Sequence, residues 1–193
     1  MTEPRSLLTI GYGIRSADEF LELLVRYEIK YLADIRSHAF SRFNPDFSQD
    51  SLQRRLAESN IKYIFMGDTL GGDPQDESVR TSSGGRGDAA KHRVLYELVF
   101  ELPSYKHGIS RLQLAWKQSA GLVLMCSEGK PELCHRARLI GATLEEQSIP
   151  IFHIDERGVL ISQQDVMLRI NNGQATLPGM GVSPKAAKSS RAF

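Results

Sequence analysis

Short apolar runs alternate along this chain with stretches whose apolar residues recur every three or four positions. Residues 7–12 (Leu-Leu-Thr-Ile-Gly-Tyr) form the first run and predict a buried strand. Ser16-Ala-Asp-Glu19 then has the form of a capping box, a hydroxyl N-cap with a carboxylate three residues on. Phe20, Leu23, Leu24 and Tyr27 continue it at helical spacing. Residues 31–35 predict a second strand, 48–59 a helix with Leu52 and Leu56 one turn apart, and 61–66 a third strand. From 67 to 88 the pattern gives way to Gly, Asp, Ser, Thr and Arg, which predicts a long lid-like or binding loop. Helices are expected at 89–101 and 106–118, split by Pro103. A strand at 122–125, a helix at 134–147, a strand at 149–154 and a short helix at 163–170 complete the series. The residues from 171 onward lack an apolar period and predict a flexible extension.

Continuously apolar strands alternating with helices point to an α/β fold. The expectation is a single domain with a mostly parallel sheet of about five strands and helices on both faces, a Rossmann-like three-layer arrangement. The domain is assigned to residues 1–158, with 159–193 as a short helix and tail. In a parallel sheet all carboxyl strand ends share one edge, where open α/β sheets build their sites.

Composition narrows the partners more than the fold. At 193 residues, with 41% apolar and 24% charged residues, the chain is of globular type. A net charge of +1 gives no global field to attract nucleic acid, so such a role needs a local basic patch. No apolar run approaches the roughly 18 residues that cross a bilayer, and the N-terminus has no secretory pattern. A cytoplasmic protein without a membrane partner is the expectation. Two cysteines in this length do not make a disulfide scaffold. Oligomeric state and cofactor are left open.

Both cysteines lie in the stretch 122–136, around a single strand-to-helix turn. Cys134 is expected at a helix N-terminus, where free N–H groups favour a thiolate, which makes it the first candidate for a reactive thiol. Cys126 ends the preceding strand, and Glu128 and His135 add acid–base capacity; plain packing of two small buried residues is the competing account. A phosphatase-type cradle would need arginine six residues after Cys126, but position 132 is Glu. Seven residues separate the cysteines, wider than a zinc knuckle, and no histidine shows ligand spacing, so no metal ligands are assigned.

Asp34 and Arg36 alternate at a strand end and share a face, as an ion pair or as a general base beside an anion clamp. Arg42, Asn44 and Arg136 add candidate ligand contacts, Gly11 permits close backbone approach, and Tyr12 is a candidate pocket wall. Gly11-Tyr-Gly13 lacks the third glycine of a dinucleotide fingerprint.

Five blocks recur in order: Thr9-Ile-Gly-Tyr12 with Arg15-Ser16, Asp34-Ile-Arg-Ser37, Arg42-Phe-Asn-Pro45 with Phe47, Leu70-Gly-Gly72, and Cys126-Ser-Glu128 with Cys134-His-Arg136. Together they resemble the family catalogued as domain of unknown function 488, over about residues 7–155. The resemblance implies a compact α/β domain of bacterial or archaeal cytoplasm with no settled activity. The chain departs from that pattern between Asp73 and His107.

The leading functional expectation is an enzyme-type site at the carboxyl edge that binds an anionic ligand, phosphate or nucleotide, with a reactive thiol. The alternative is a non-catalytic module binding nucleic acid or protein, and a metal site is a minor third.

Overall fold

A computed structural model describes residues 6–82 and 92–171. β1 (Leu7–Gly11) runs into α1 (Ala17–Arg26), and β2 (Tyr31–Asp34) is followed by α2 (Gln49–Glu58) and β3 (Lys62–Phe65). Next come a one-turn helix α3 (Gly67–Leu70), strands β4 (Arg80–Ser82) and β5 (His92–Val94), α4 (Tyr96–Val99) and α5 (Pro103–Lys117). β6 (Leu122–Cys126) leads through a π-helical turn at Arg136–Gly141 into α6 (Ala142–Glu146). β7 (Ile151–Ile154), β8 (Leu160–Ser162) and α7 (Gln163–Ile170) close the chain.

The α/β expectation holds. One sheet carries the order β3-β2-β6-β1-β7-β8, with the first five strands parallel and β8 antiparallel to β7. It has six strands rather than five. The added strand is three residues of mixed polarity, too short for a periodicity signal. Residues 160–170, set apart by the sequence at 158, belong to this same sheet and core: β8 pairs with β7, and Val166 is buried. No helix among the described residues is long and apolar enough to cross a membrane.

Three expectations between the strands need correction. The loop at 67–88 opens with α3 and contains β4, which pairs antiparallel with β5 in a separate small sheet. The helix expected at 89–101 is a strand at 92–94 and a single helical turn at 96–99. Pro103 stands at the break between α4 and α5, but α5 opens at Pro103 itself rather than at 106, in the first turn, where its missing N–H costs nothing. Residues 83–91, and the extension with its basic residues Lys185, Lys188 and Arg191, lie outside the described residues.

The Ser16–Glu19 capping box forms as predicted, with Glu19 N–H donating to Ser16 Oγ at 3.2 Å and Ser16 N–H to Glu19 Oε2 at 2.8 Å. Side-chain alternation divides the core into two layers. Val123 and Met125 of β6 pack with Ile10, Phe20, Leu24, Leu52 and Leu56, so α1 and α2 cover one face. Leu122, Leu124 and Cys126 pack with Tyr105, Ile109, Leu112, Leu139 and Leu144, so α5 and α6 cover the other. β6 is buried along its whole length. Connections leaving β1 and β2 turn to one face and the connection leaving β6 turns to the opposite face. The carboxyl end of β6 is therefore a topological switch point, where crevices open in sheets of this kind.

The orientation of the Gln163 amide, at the start of α7, is settled by its neighbours: Nε2 donates to Ala137 O at 3.1 Å, so Oε1 faces His153 Nε2 at 2.7 Å. Nε2 of His153 thus carries the proton, and Nδ1 accepts from the Thr9 hydroxyl at 2.7 Å. Burial pushes the His153 pKa down to about 3. The folded value lies below the unfolded one of about 6.5, so stability that is full above about pH 6.5 is lost as pH falls toward 3. His153→Gln is expected to flatten urea-unfolding stability across that window relative to wild type. Equal pH slopes for the two proteins would contradict this role.

Candidate functional site

The stretch after β6 is held by one side chain. Arg136 is fully buried, and its guanidinium donates to the main-chain carbonyls of Glu128 and of Gly129, the latter at 2.8 Å. Tyr12 N–H donates to Cys126 O at 3.1 Å and Gly13 N–H to Ser127 O at 2.9 Å, so the turn also lies along the end of β1. A Cβ at Gly11 would stand 1.7 Å from Glu128 O and 2.6 Å from Arg136 Nη1. Gly11 therefore serves the close approach of this turn, which leaves no room for a side chain.

Cys134 ends a turn of 3₁₀ helix (Pro131–Leu133) in extended conformation, φ −115° and ψ 147°. Its carbonyl accepts from Ala137 and Arg138, and its sulfur accepts from Arg136 N–H at 3.5 Å, so it caps the helical segment that follows. His135 Nε2 lies 3.1 Å from Ile35 O. A carbonyl oxygen only accepts, so Nε2 bears a hydrogen and Nδ1 is the ring atom that meets the sulfurs. Nδ1 is 3.8 Å from Cys126 Sγ and 3.7 Å from Cys134 Sγ, and the three donor atoms all lie within 4.8 Å of one another. Cys126, Cys134 and His135 are all buried.

The two thiols divide their acidity in the opposite sense to the sequence expectation. A hydrogen bond from Cys134, helped by His135 and by the Glu128 main-chain N–H, holds the Cys126 thiol well below the usual range despite burial. Burial, then the Cys126 sulfur beside it, pushes the Cys134 thiol up, and Arg136 only partly offsets this. Cys126 is thus the acidified thiol. Chemically the cluster offers an acidified thiol, a second thiol beside it and an imidazole that reaches both.

Asp34 and Arg36 form a second constellation at the same edge. Arg36 donates through Nε to Asp34 Oδ1 at 2.9 Å and through Nη2 to Oδ2 at 2.5 Å, while the Tyr63 hydroxyl donates to Oδ2 at 2.7 Å. Burial alone would lower the Arg36 pKa, but the paired Asp34 reverses this and raises it. Burial, followed by the Asp34 hydrogen bond, raises the Tyr63 pKa. The guanidinium lies 5.6 Å from the Tyr12 ring centroid, and Tyr12 stacks on Phe47 at 4.1 Å. Tyr12 and Phe47 belong to the α1/α2 core, whereas the cysteines and Ile35 belong to the α5/α6 core. The two groups therefore flank the strand ends from opposite faces, joined by the His135–Ile35 hydrogen bond.

Other candidates are placed as follows. Glu128 is partly buried and its carboxylate accepts from Lys130 N–H at 3.3 Å. Arg42 is exposed, and Asn44 lies in the loop whose N–H donates to Ser41 Oγ at 3.3 Å. The Gly71-Gly72 pair passes against the site, since a Cβ at Gly72 would stand 2.7 Å from His135 Cγ and Nδ1. Sequence reasoning missed Arg15, whose guanidinium donates to Gly11 O at 2.5 Å and to Asp155 O. It also missed Tyr63 and Asp155; Asp155 pairs with Arg157 at 2.9 Å, repeating the acid-x-arginine signature of Asp34 and Arg36 at another strand end. A cavity of about 480 Å³ lined by Glu28, Lys30, Ser59 and Gly121 lies at the opposite, amino-terminal edge, away from this chemistry.

Fold and site define a three-layer α/β protein with a buried thiol–imidazole cluster at the carboxyl edge of its sheet. A family model described as "Domain of unknown function DUF488" matches residues 16–143, more than half of the chain, and the protein belongs to that family. No curated protein and no solved structure matches the chain.

Gly72→Ala is expected to displace a ring pinned at Nε2, with a loss of about 1–3 kcal/mol in urea unfolding and shifted His135 imidazole resonances. Stability and resonances like those of wild type would contradict the contact.

Proposed function

We propose that the carboxyl edge of the sheet is an enzyme-type site that takes an anionic ligand beside the Cys126 thiolate. The observation that carries the reading is Arg136. It is fully buried, and among the described residues it makes no ion pair; its donors meet main-chain carbonyls and its Nε has no acceptor. A buried guanidinium without a carboxylate is costly, and its charge calls for a negative group nearby. The cluster of Cys126 and Cys134 is the adjacent source of one, and an anionic ligand at the switch point is another. In this reading Arg136 positions the turn and supplies field rather than a surface clamp. Glu128 and His135 serve as proton carriers. On the other face, Arg36 has a buried Nη1 without an acceptor and provides a second donor toward the same edge.

A second reading has an observation of its own. Phe40 and Phe43 are 72% and 94% exposed, and they flank exposed Arg42 in the loop after β2. Exposed aromatics beside a cation suit stacking on single-stranded nucleic acid.

One experiment separates the readings: iodoacetamide labelling of chelator-treated, reduced protein, mapped by mass spectrometry. The probes are inorganic phosphate, ADP and a thymidine oligonucleotide, with chloride matched for ionic strength. The enzyme-type reading expects Cys126 to label before Cys134 and phosphate or ADP to slow that labelling several-fold. Labelling indifferent to both anions overturns it. Protection by the oligonucleotide alone, lost in Phe43→Ala, moves the assignment to the binding module.

A further inference from the structure

We infer that Cys126, Cys134 and His135 form a binding site for a thiophilic metal ion, zinc above all, with one coordination position left for a non-protein ligand. The inference goes beyond the anion reading and stands on donor geometry.

Zinc holds cysteine sulfur at about 2.3 Å and histidine nitrogen at about 2.0–2.1 Å, so sulfur and nitrogen on one tetrahedral ion stand about 3.6 Å apart. With trigonal angles the same bond lengths give about 3.8 Å. His135 Nδ1 lies 3.8 Å from one sulfur and 3.7 Å from the other, as two edges of such a polyhedron require. The third edge is within the 4.8 Å that encloses all three donors. Two of the three edges thus already have the lengths a zinc ion asks for, and the sulfur–sulfur edge is bounded by 4.8 Å where two sulfurs on a tetrahedral ion stand about 3.8 Å apart.

The surroundings are those of a ligand set. A metal-bound imidazole characteristically donates its other N–H to a carbonyl or carboxylate, which fixes ring and tautomer. His135 does this through Nε2 to Ile35 O, and Nδ1 is the atom directed at the sulfurs. Each sulfur also accepts a main-chain N–H, Cys134 from Arg136 at 3.5 Å and Cys126 from Glu128. Such bonds stabilise thiolates that ligate metal. Gly72 presses against the His135 ring and limits its freedom to turn away.

Sequence spacing concealed the set. Seven residues separate the cysteines, but a strand end and a cap after a tight turn bring them together, and His135 follows the second directly. Two cysteines and one histidine are the protein ligands of a class of catalytic zinc sites, where water fills the fourth position. Zinc with two thiolates is neutral. The positive charge of buried Arg136 would then favour a hydroxide or substrate anion as the further ligand.

The test uses the full reduced chain, stripped with chelator and titrated anaerobically with Co²⁺ and then Zn²⁺. One equivalent of Co²⁺ should produce a thiolate-to-cobalt charge-transfer band with tetrahedral d–d absorption, and one equivalent of Zn²⁺ should abolish both. X-ray absorption of the zinc form should count two sulfur and one imidazole scatterers. Cys126→Ser and His135→Gln should each weaken binding at least tenfold while far-ultraviolet dichroism stays native. Should a variant not fold, the wild-type scatterer count alone decides. Absence of the charge-transfer band, a site without two sulfurs, or unchanged affinity in folded Cys126→Ser overturns the inference. Loss of the metal site with anion protection of Cys126 intact would leave the proposed function standing; loss of both would remove each separately.

Discussion

Arg136 is the residue around which the site is organised. It has no exposure, yet it carries a permanent charge, and two main-chain carbonyls of the 127–130 turn accept its hydrogen bonds. Those bonds hold the turn across the end of β1, where Gly11 alone leaves room for it. With the turn fixed, Cys126 at its start and Cys134 at its end face each other, and His135 is presented to both. Removing one partner of a buried charged network typically costs several kcal/mol, so this cluster and the local fold are a single unit.

Strand order explains why the cluster lies where it does. Placing β6 between β1 and β2 brings residues far apart in the chain into register, Gly11 beside Cys126 and Asp34 beside Met125. It also makes β6 the strand whose connection leaves toward the opposite face from its neighbours. One consequence is a site in two halves. Asp34, Arg36, Tyr63 and Tyr12 take the α1/α2 side, the thiols and His135 take the α5/α6 side, and the Ile35 carbonyl is the contact between them. A π-helical turn directly after His135 adds a local irregularity of the kind often found at functional sites.

The main lines of the fold were legible because they rest on burial. β1, β2, β6 and α1 announce themselves through apolar runs and a capping box whose bonds all form. What escaped depends on pairing rather than periodicity: the three-residue β8, the β4–β5 hairpin and the one-turn α4 have too few residues to carry a pattern. At the site, residue types were legible and their grouping was not. Asp34 and Arg36 were readable as a pair because charged residues ending an apolar strand need a partner. That Arg136 would face inward, that Cys126 would be the acidified thiol, and that His135 would meet both sulfurs are consequences of a turn geometry no spacing rule encodes.

The central claim is that the fold brings the end of β2 and the thiol-bearing turn together through His135. Nitrogen-15 correlation spectra of the reduced, metal-free protein read this directly. The account predicts a hydrogen on Nε2 protected from exchange by Ile35 O, and an Nδ1 whose shift responds to Cys126→Ser. A His135 ring without a hydrogen on Nε2, or one exchanging freely with solvent, would contradict it.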